Sequence, residues 1–324
     1  MMNKIKKIAV FTSGGDSPGM NAAVRAVVRA ALAHNLEIMG INRGYQGMIE
    51  DDFVKMKSKS VRNIIQRGGT ILRTARSEEF RTPAGRKKAY NNLKKHGINA
   101  VVVIGGDGSF KGAGIFSQEY DIPFVGMPGT IDNDMFGTDY TIGFDTALNT
   151  VVEAIDKIKD TAFSHDRTFF IEVMGRDAGF IALKAGIATG AEMVLIPEID
   201  GQEEKLEELL KNSEKSSNIV IVAEGNNVGG AAEVAKRFGK KYKSHGIRVN
   251  VLGHMQRGGS PSAFDRYLAS RLGVAAVDAL TDNQRSIMVG YTNHEVGHIP
   301  FNKTIKGKRN IGEELLRVND ILAK

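Results

Sequence analysis

The segment Pro128-Gly129-Thr130-Ile131-Asp132-Asn133-Asp134 sets two carboxylates two positions apart, beside a threonine. If the stretch is extended, period-two geometry sends Asp132 and Asp134 to one side. Two carboxylates that close repel unless a metal or a proton separates them, so one suits magnesium and the other a proton acceptor. An Asx-rich structural turn is the alternative. In Gly105-Gly106-Asp107-Gly108-Ser109 a carboxylate stands among three glycines. Magnesium prefers one or two carboxylates together with phosphate oxygens and water, which makes Asp107 a metal-ligand candidate. The run from Thr12 to Ala23 is a glycine-rich turn feeding an alanine-rich helix, where backbone amides could face a phosphate. It matches neither the GxxxxGK[ST] nor the GxGxxG pattern, so a plain strand-to-helix turn stays open. Arg176 in Met174–Gly179 and Arg257 in Gly253–Pro261 sit beside glycines, where a guanidinium can make forked bonds to phosphate. Acidic and basic loops of one kind point to an anionic, phosphorylated substrate.

Something must hold these loops at strand ends. One arrangement recurs: a short apolar, β-branched run, then glycines with a charged residue, then helical periodicity. Strands are expected at Lys7–Thr12, Asn99–Ile104, Pro123–Met127, Thr168–Val173, Met193–Ile196, Ile219–Ala223 and Val249–Gly253. Their continuous apolarity suits parallel sheets covered on both faces. The expected fold is α/β, with two doubly wound, Rossmann-like α/β/α domains and mostly parallel sheets, and ligands outside the carboxyl ends of the strands. A length of 324 residues agrees with two domains.

Composition narrows the chemistry. With 42% hydrophobic and 25% charged residues and no long apolar run, neither disorder nor a membrane span fits. The apolar stretch Ile8–Phe11 is too short for a signal-peptide core, so a cytoplasmic protein is expected. Without cysteine there is no disulfide and no thiolate, and the seven histidines form no HExxH pattern, which leaves oxygen ligands for any metal. The net charge of +7 is dispersed rather than gathered into a basic stripe, which argues against nucleic acid; even the densest tract, Lys236–Lys243, holds just Phe238 and Tyr242 as aromatics.

The runs GGDSPGMNAA, GGDGS, PGTIDND, MGRDAG and GHMQRGGSP, in this order, resemble the bacterial ATP-dependent 6-phosphofructokinases from Ile8 to about Leu280. The resemblance implies the glycolytic conversion of fructose 6-phosphate and MgATP into fructose 1,6-bisphosphate and ADP. It makes Asp132 the base for the sugar's 1-hydroxyl and Asp107 the Mg2+ ligand. Gly15, Tyr45, Arg76, Ser77, Gly106, Gly108 and Ser109 fall at the ATP positions, with Arg76 also on the transferring phosphoryl. Thr130, Ile131, Met174, Gly175, Arg176, Glu224, His254, Met255, Gln256 and Arg257 fall at the sugar-phosphate positions, where Arg176 offsets transition-state charge. The family's homotetramer implies that Arg167 and Arg248 complete a neighbour's 6-phosphate pocket. Its domains interleave, which implies an ATP-binding domain of residues 1–142 plus 255–305 and a sugar-phosphate domain of 143–254 plus 306–324.

The effector site for ADP or phosphoenolpyruvate would use Arg25, Arg29, Lys159, Glu192 and Lys215, although two solvated helix arginines remain a sufficient account of the first pair. Ser58, Asn63, Lys159, Ser213 and Ser216 depart from the family's pattern there, so weakened or altered regulation is expected. Pyrophosphate-dependent relatives carry Asp at position 108 and Lys at 129. Glycine at both favours ATP. Two alternatives are a phosphotransferase with another acceptor and a silent nucleotide sensor on the same fold.

Overall fold

The computed structural model describes residues 5–212 and 217–323. Lys215, Ser213 and Ser216 lie outside the described residues. The strands, in chain order, are β1 (Lys7–Thr12), β2 (Glu37–Ile41), β3 (Phe53–Lys55), β4 (Ala100–Gly105), β5 (Phe124–Pro128), β6 (Thr168–Val173), β7 (Met193–Leu195), β8 (Asn218–Ala223), β9 (Arg248–Val251), β10 (Ile287–Thr292) and β11 (Glu295–Pro300). The helices are α1 (Met20–Ala33), α2 (Gly44–Ile49), α3 (Pro83–Lys95), α4 (Asp107–Tyr120), α5 (Phe144–Ser164), α6 (Phe180–Thr189), α7 (Gln202–Asn212), α8 (Ala231–Lys241), α9 (Ala263–Thr281), α10 (Phe301–Lys306) and α11 (Glu313–Leu322). Each of the seven expected strands is present within a residue or two of its expected ends. Four others, β2, β3, β10 and β11, were not expected.

Two compact units share the chain: Met1–Ile131, Met135–Thr146 and Arg257–Arg309 form unit 1, and Asp132–Asp134, Ala147–Gln256 and Asn310–Lys324 form unit 2. Unit 1 holds a seven-stranded sheet in the order β11-β10-β5-β4-β1-β2-β3, in which only the outermost pairs, β10 with β11 and β2 with β3, are antiparallel. Alternation along the strands divides its core in two. Ile8 and Val10 of β1 and Val102 and Ile104 of β4 join α1 and α9 on one face. Ala9, Phe11, Val101 and Val103 join α2, α3, α4 and α10 on the other. Both side-chain sets are apolar because both faces are covered, which is why these strands read as unbroken hydrophobic runs.

Unit 2 holds a four-stranded parallel sheet in the order β7-β8-β6-β9. Phe170, Val220 and Val222 bury against Leu206 and Leu210 of α7 and Val234 and Phe238 of α8. The crossover from β6 to β7 runs the opposite way to those from β7 and β8, so right-handed connection puts α6 on the other face. Among the described residues no helix is long and apolar enough to cross a membrane.

Candidate active site

In unit 1, β1 connects through α1 to a strand on one side, while neighbouring β4 connects through α4 to a strand on the other. Connections that diverge in this way open a crevice at the carboxyl ends of the two strands. The loops at that end are fastened to one another. Ser13 N–H donates to Ile104 O at 2.9 Å, and Ser109 Oγ donates to Ser13 Oγ at 2.9 Å. Thr74 Oγ1 donates to Gly14 O at 2.7 Å, tethering the segment that carries Arg76 and Ser77. From β5, Gly129 N–H donates to Gly105 O at 3.0 Å, and Thr130 Cβ lies 4.0 Å from where a Cβ on Gly106 would stand. Arg257 closes the far side: its guanidinium donates to Asp16 O at 3.3 Å and lies so close over Gly15 that a Cβ there would be 2.0 Å from Nη1.

These bonds gather Gly15, Gly106, Asp107, Gly108, Ser109, Thr130 and Arg257 around the mouth of one crevice, with Arg76 and Ser77 two and three residues beyond the tethered Thr74. Asp107 is the first residue of α4 and is exposed, and Gly106 precedes it without a side-chain cap. First-turn amides and the positive end of the helix dipole therefore face the crevice, the arrangement that binds phosphate. Gly108 has nothing within 4 Å of an added Cβ, so space is left above that turn.

In unit 2 the connections from the neighbouring strands β6 and β8 run in opposite directions and cross, so they leave on opposite faces of the sheet. The loop after β6 is held by the loop after β8: Glu224 Oε1 accepts from Gly175 N–H at 3.3 Å and from Arg176 N–H at 2.8 Å. Arg176 adopts φ 53°, a left-handed conformation that costs a non-glycine residue of the order of 1 kcal/mol, and its carbonyl lies 1.9 Å from where a Cβ on Gly225 would be. The exposed guanidinium of Arg176 is thus carried on a backbone that is bent and clamped. Arg167 precedes β6, and Arg248 opens β9 in register with Phe169. Met174 to Arg176 lie at the other end of the same sheet, which at about 3.3 Å per residue is roughly 20 Å away.

One expectation is corrected, and other expected residues have structural partners. The segment around Asp132 is not extended, because Asn133 takes φ 55°, so strand alternation does not relate Asp132 to Asp134; Asp132 is buried and Asp134 half-buried. Ile131 is fully buried, which leaves its side chain no surface for a ligand. Gln256 is likewise enclosed, its amide accepting from Met174 N–H at 3.1 Å and donating to Gly253 O at 3.0 Å, so it shapes the loop that bears Arg176. Tyr45 packs between Phe11 and Phe80 and donates its hydroxyl to Ser109 O at 2.6 Å. Burial pushes its phenol pKa up, and the ring braces the first turn of α4 from behind. Of the expected effector residues, Lys159 donates to the carbonyls of Thr189 and Gly190 at the end of α6, and Glu192 accepts from Ile219 N–H at 2.7 Å, so both do structural work. Arg25 and Arg29 share one face of α1, where burial first and the neighbouring Arg29 second lower the Arg25 pKa.

Sequence reasoning missed the supports: Thr74, Ser17, whose Oγ donates to Ile142 O at 2.8 Å, and Thr141, whose Oγ1 donates to Thr130 O at 2.6 Å. Ser17 lies within a motif already singled out; Thr74 and Thr141 carry no local signal. No group of three or more His, Cys, Asp or Glu that could hold a metal occurs among the described residues.

Comparison with known proteins agrees with this geometry. The chain is 55% identical over 320 residues to "ATP-dependent 6-phosphofructokinase 2" of Bacteroides thetaiotaomicron, covering 98% of both chains. It is also 55% identical over 322 residues to "ATP-dependent 6-phosphofructokinase 1" of Thermus thermophilus, covering 98% of this chain and all of that one. The phosphofructokinase structure from Saccharomyces cerevisiae superposes with a TM-score of 0.88 at 38% identity over 98% of this chain, which spans about half (48%) of the yeast chain. A pyrophosphate-dependent phosphofructokinase from Marinobacter aquaeolei, 21% identical, shares the fold with a TM-score of 0.85. With the phosphofructokinase family model matching residues 7–280, the fold, the crevice and the sequence converge: this chain belongs to the phosphofructokinase family.

Proposed function

We propose that this chain is an ATP-dependent 6-phosphofructokinase, transferring the γ-phosphoryl group of ATP to the 1-hydroxyl of fructose 6-phosphate and releasing ADP. The observation that carries this is the junction in unit 1, where the loops after β1, β4 and β5 meet at a helix N-terminus with Asp107 at its first position. Phosphoryl transfer asks a protein for positioning and charge stabilisation more than for covalent chemistry, and these loops supply amides, a carboxylate and arginines.

The amides of the α4 first turn and the Gly14–Gly15 loop hold the polyphosphate, with Arg76 and Ser77 at its edge. Asp107 fits Mg2+: it offers a carboxylate oxygen, the donor class this cation prefers, in a place open enough for phosphate oxygens and water to complete the shell. When bound, the cation would neutralise charge on the phosphate oxygens. Asp132 accepts the proton of the sugar's 1-hydroxyl as that oxygen attacks the γ-phosphorus and the bond to the ADP oxygen breaks. Arg176 has the role of offsetting charge that develops on the migrating group, and Thr130, Met174, Gly175, Glu224, His254, Met255 and Arg257 are the residues assigned to the sugar phosphate.

Arg167 and Arg248 sit at the wrong end of the unit 2 sheet to serve the same ligand as Arg176, which supports a homotetramer whose sites are completed by a neighbour. With Lys159 committed to the end of α6, Arg25 and Arg29 are left to carry an effector site, and the response to ADP or phosphoenolpyruvate is weakened or altered.

Replacing Asp132 by Asn keeps the shape and removes the base. General-base catalysis is worth about 10² to 10⁴ in rate, so kcat in an ATP-coupled assay should fall by at least the lower figure while fructose 6-phosphate binding persists. Turnover within a few-fold of the parent would sink the assignment.

A further inference from the structure

The inference rests on the kinase reading above and concerns a residue outside the crevice. Asp265 lies in the first turn of α9 and is fully buried. Its Oδ1 accepts from Gly143 N–H at 2.8 Å, and its Oδ2 accepts from Thr146 N–H at 2.8 Å and Thr146 Oγ1 at 2.5 Å. The same Thr146 hydroxyl accepts from Ser262 N–H at 2.9 Å, and Ser262 Oγ donates to Asp145 Oδ2 at 2.6 Å. Asp265 thus caps the start of α5 from another helix, while Ser262, the N-cap of α9, is tied to α5 in return.

What the carboxylate holds is the hinge of two loops. Ile142, next to Gly143, donates its N–H to Pro128 O at 2.8 Å, bridges to Gly129, and accepts the Ser17 hydroxyl at 2.8 Å. Thr141 binds Thr130 O at 2.6 Å. The three residues 141, 142 and 143 therefore fix both the segment that leads into Thr130 and the loop after β1, and Asp265 fixes them.

We propose that Asp265 is a positioning residue for phosphoryl transfer, setting the placement of Thr130 and of the Ser17 loop through Gly143 and Ile142. The chemistry of the pocket supports this. Three donors converge on one side chain, which only an ionised carboxylate can satisfy. Burial raises its pKa to about 6 despite those donors and with the Asp145 charge adding to the rise, so at neutral pH it is ionised and acceptor-only. Asparagine would keep the volume but turn an NH2 group toward one of the N–H donors, and the 142–143 segment would have to move away.

The test is Asp265→Asn in the full chain, with Thr146→Ala as a milder second variant that deletes one donor. Measurements are kcat and KM for both substrates well below the melting temperature, and hydrogen exchange of peptides spanning 128–146. The expected result is a kcat at least 10-fold lower for Asp265→Asn and 2- to 5-fold lower for Thr146→Ala. KM for fructose 6-phosphate should stay within about 3-fold, with faster exchange confined to 128–146 and the Ser17 loop. The proposal is overturned if kcat per folded molecule stays within 2-fold of the parent in both variants, or if exchange rises uniformly, which would mark a general loss of stability. The exchange arm needs no turnover, so a parent enzyme inactive with ATP and fructose 6-phosphate would count against the kinase reading while loop placement was still tested.

Discussion

Two glycines decide what the crevice can hold, and the structure separates their roles. At Gly108, on the first turn of α4, an added side chain meets nothing, whereas at Gly129 a Cβ would lie 3.0 Å from Ile104 and 3.3 Å from Met20. Gly108→Asp should therefore fold normally, since an exposed substitution shifts stability by about 0.5 kcal/mol at most and an acid at a helix start is favourable. Its carboxylate would nevertheless stand in the space assigned to the nucleotide. We expect kcat/KM for ATP to fall at least about 10-fold at an unchanged melting temperature, following the scale of one misplaced charge. An unaltered ATP constant would mean that the nucleotide does not pass over position 108. Gly129→Ala, in contrast, should show its effect as lost stability of about 1 to 3 kcal/mol, the usual cost of overpacking. Nothing in the order of letters distinguishes these glycines. Their motifs announced phosphate chemistry, but which glycine guards ligand space and which guards packing depends on Ile104 and Met20, side chains brought in by other elements.

At the scale of elements, the brace behind α4 is a fork. Arg86 of α3 makes two bonds of 2.6 Å to Glu119 near the end of α4, and its remaining nitrogen donates to Phe80 O at 3.2 Å and Arg81 O at 2.7 Å. Phe80 in turn stacks on Tyr45 at 4.0 Å, and Tyr45 holds Ser109. Only 9% of the Arg86 side chain is exposed, so its removal would leave the carbonyl of buried Phe80 short of a partner, while the Glu119 carboxylate, 31% exposed, would turn to water. Arg86→Ala should cost about 1 to 3 kcal/mol by urea titration, and Arg86→Lys should recover less than half, because an ammonium cannot fork. A loss under about 0.5 kcal/mol would show the fork to be ornamental. Elements were legible in proportion to their burial. Strands covered on both faces, such as β1 and β4, announced themselves as unbroken apolar runs. β2 is short and interrupted by Gly40, and β10 and β11 join through Asn293 and His294, both with positive φ, a tight hairpin turn that ordinarily advertises itself with glycine. The start of α9 carried a visible signal, Ser262 three residues ahead of Asp265, but that spacing speaks only of a local cap and says nothing of Asp265 reaching across to α5.

For the whole molecule, the chain passes from one unit to the other after Ile131, Asp134, Thr146, Gln256 and Arg309. Unit 1 is therefore unfinished until the last quarter of the sequence arrives. Leu268, Leu272, Val277 and Leu280 of α9 are all at most 1% exposed and cover one face of the large sheet. At roughly 1.5 to 3 kcal/mol for each buried side chain, they contribute about 6 to 12 kcal/mol, comparable with the entire stability of a typical domain. A fragment ending at residue 256 should consequently lack cooperative unfolding in unit 1, read by calorimetry; a sharp transition for that fragment would contradict the arithmetic. During translation the same interlacing means that β5, made early, waits some 160 residues for Ile287 and Met288 of β10 to pair with it. The newborn polypeptide carries a bare strand edge and an uncovered greasy sheet while the ribosome works through residues 147–256 of unit 2, a window in which chaperones rather than the chain's own packing must keep it from sticking to its neighbours.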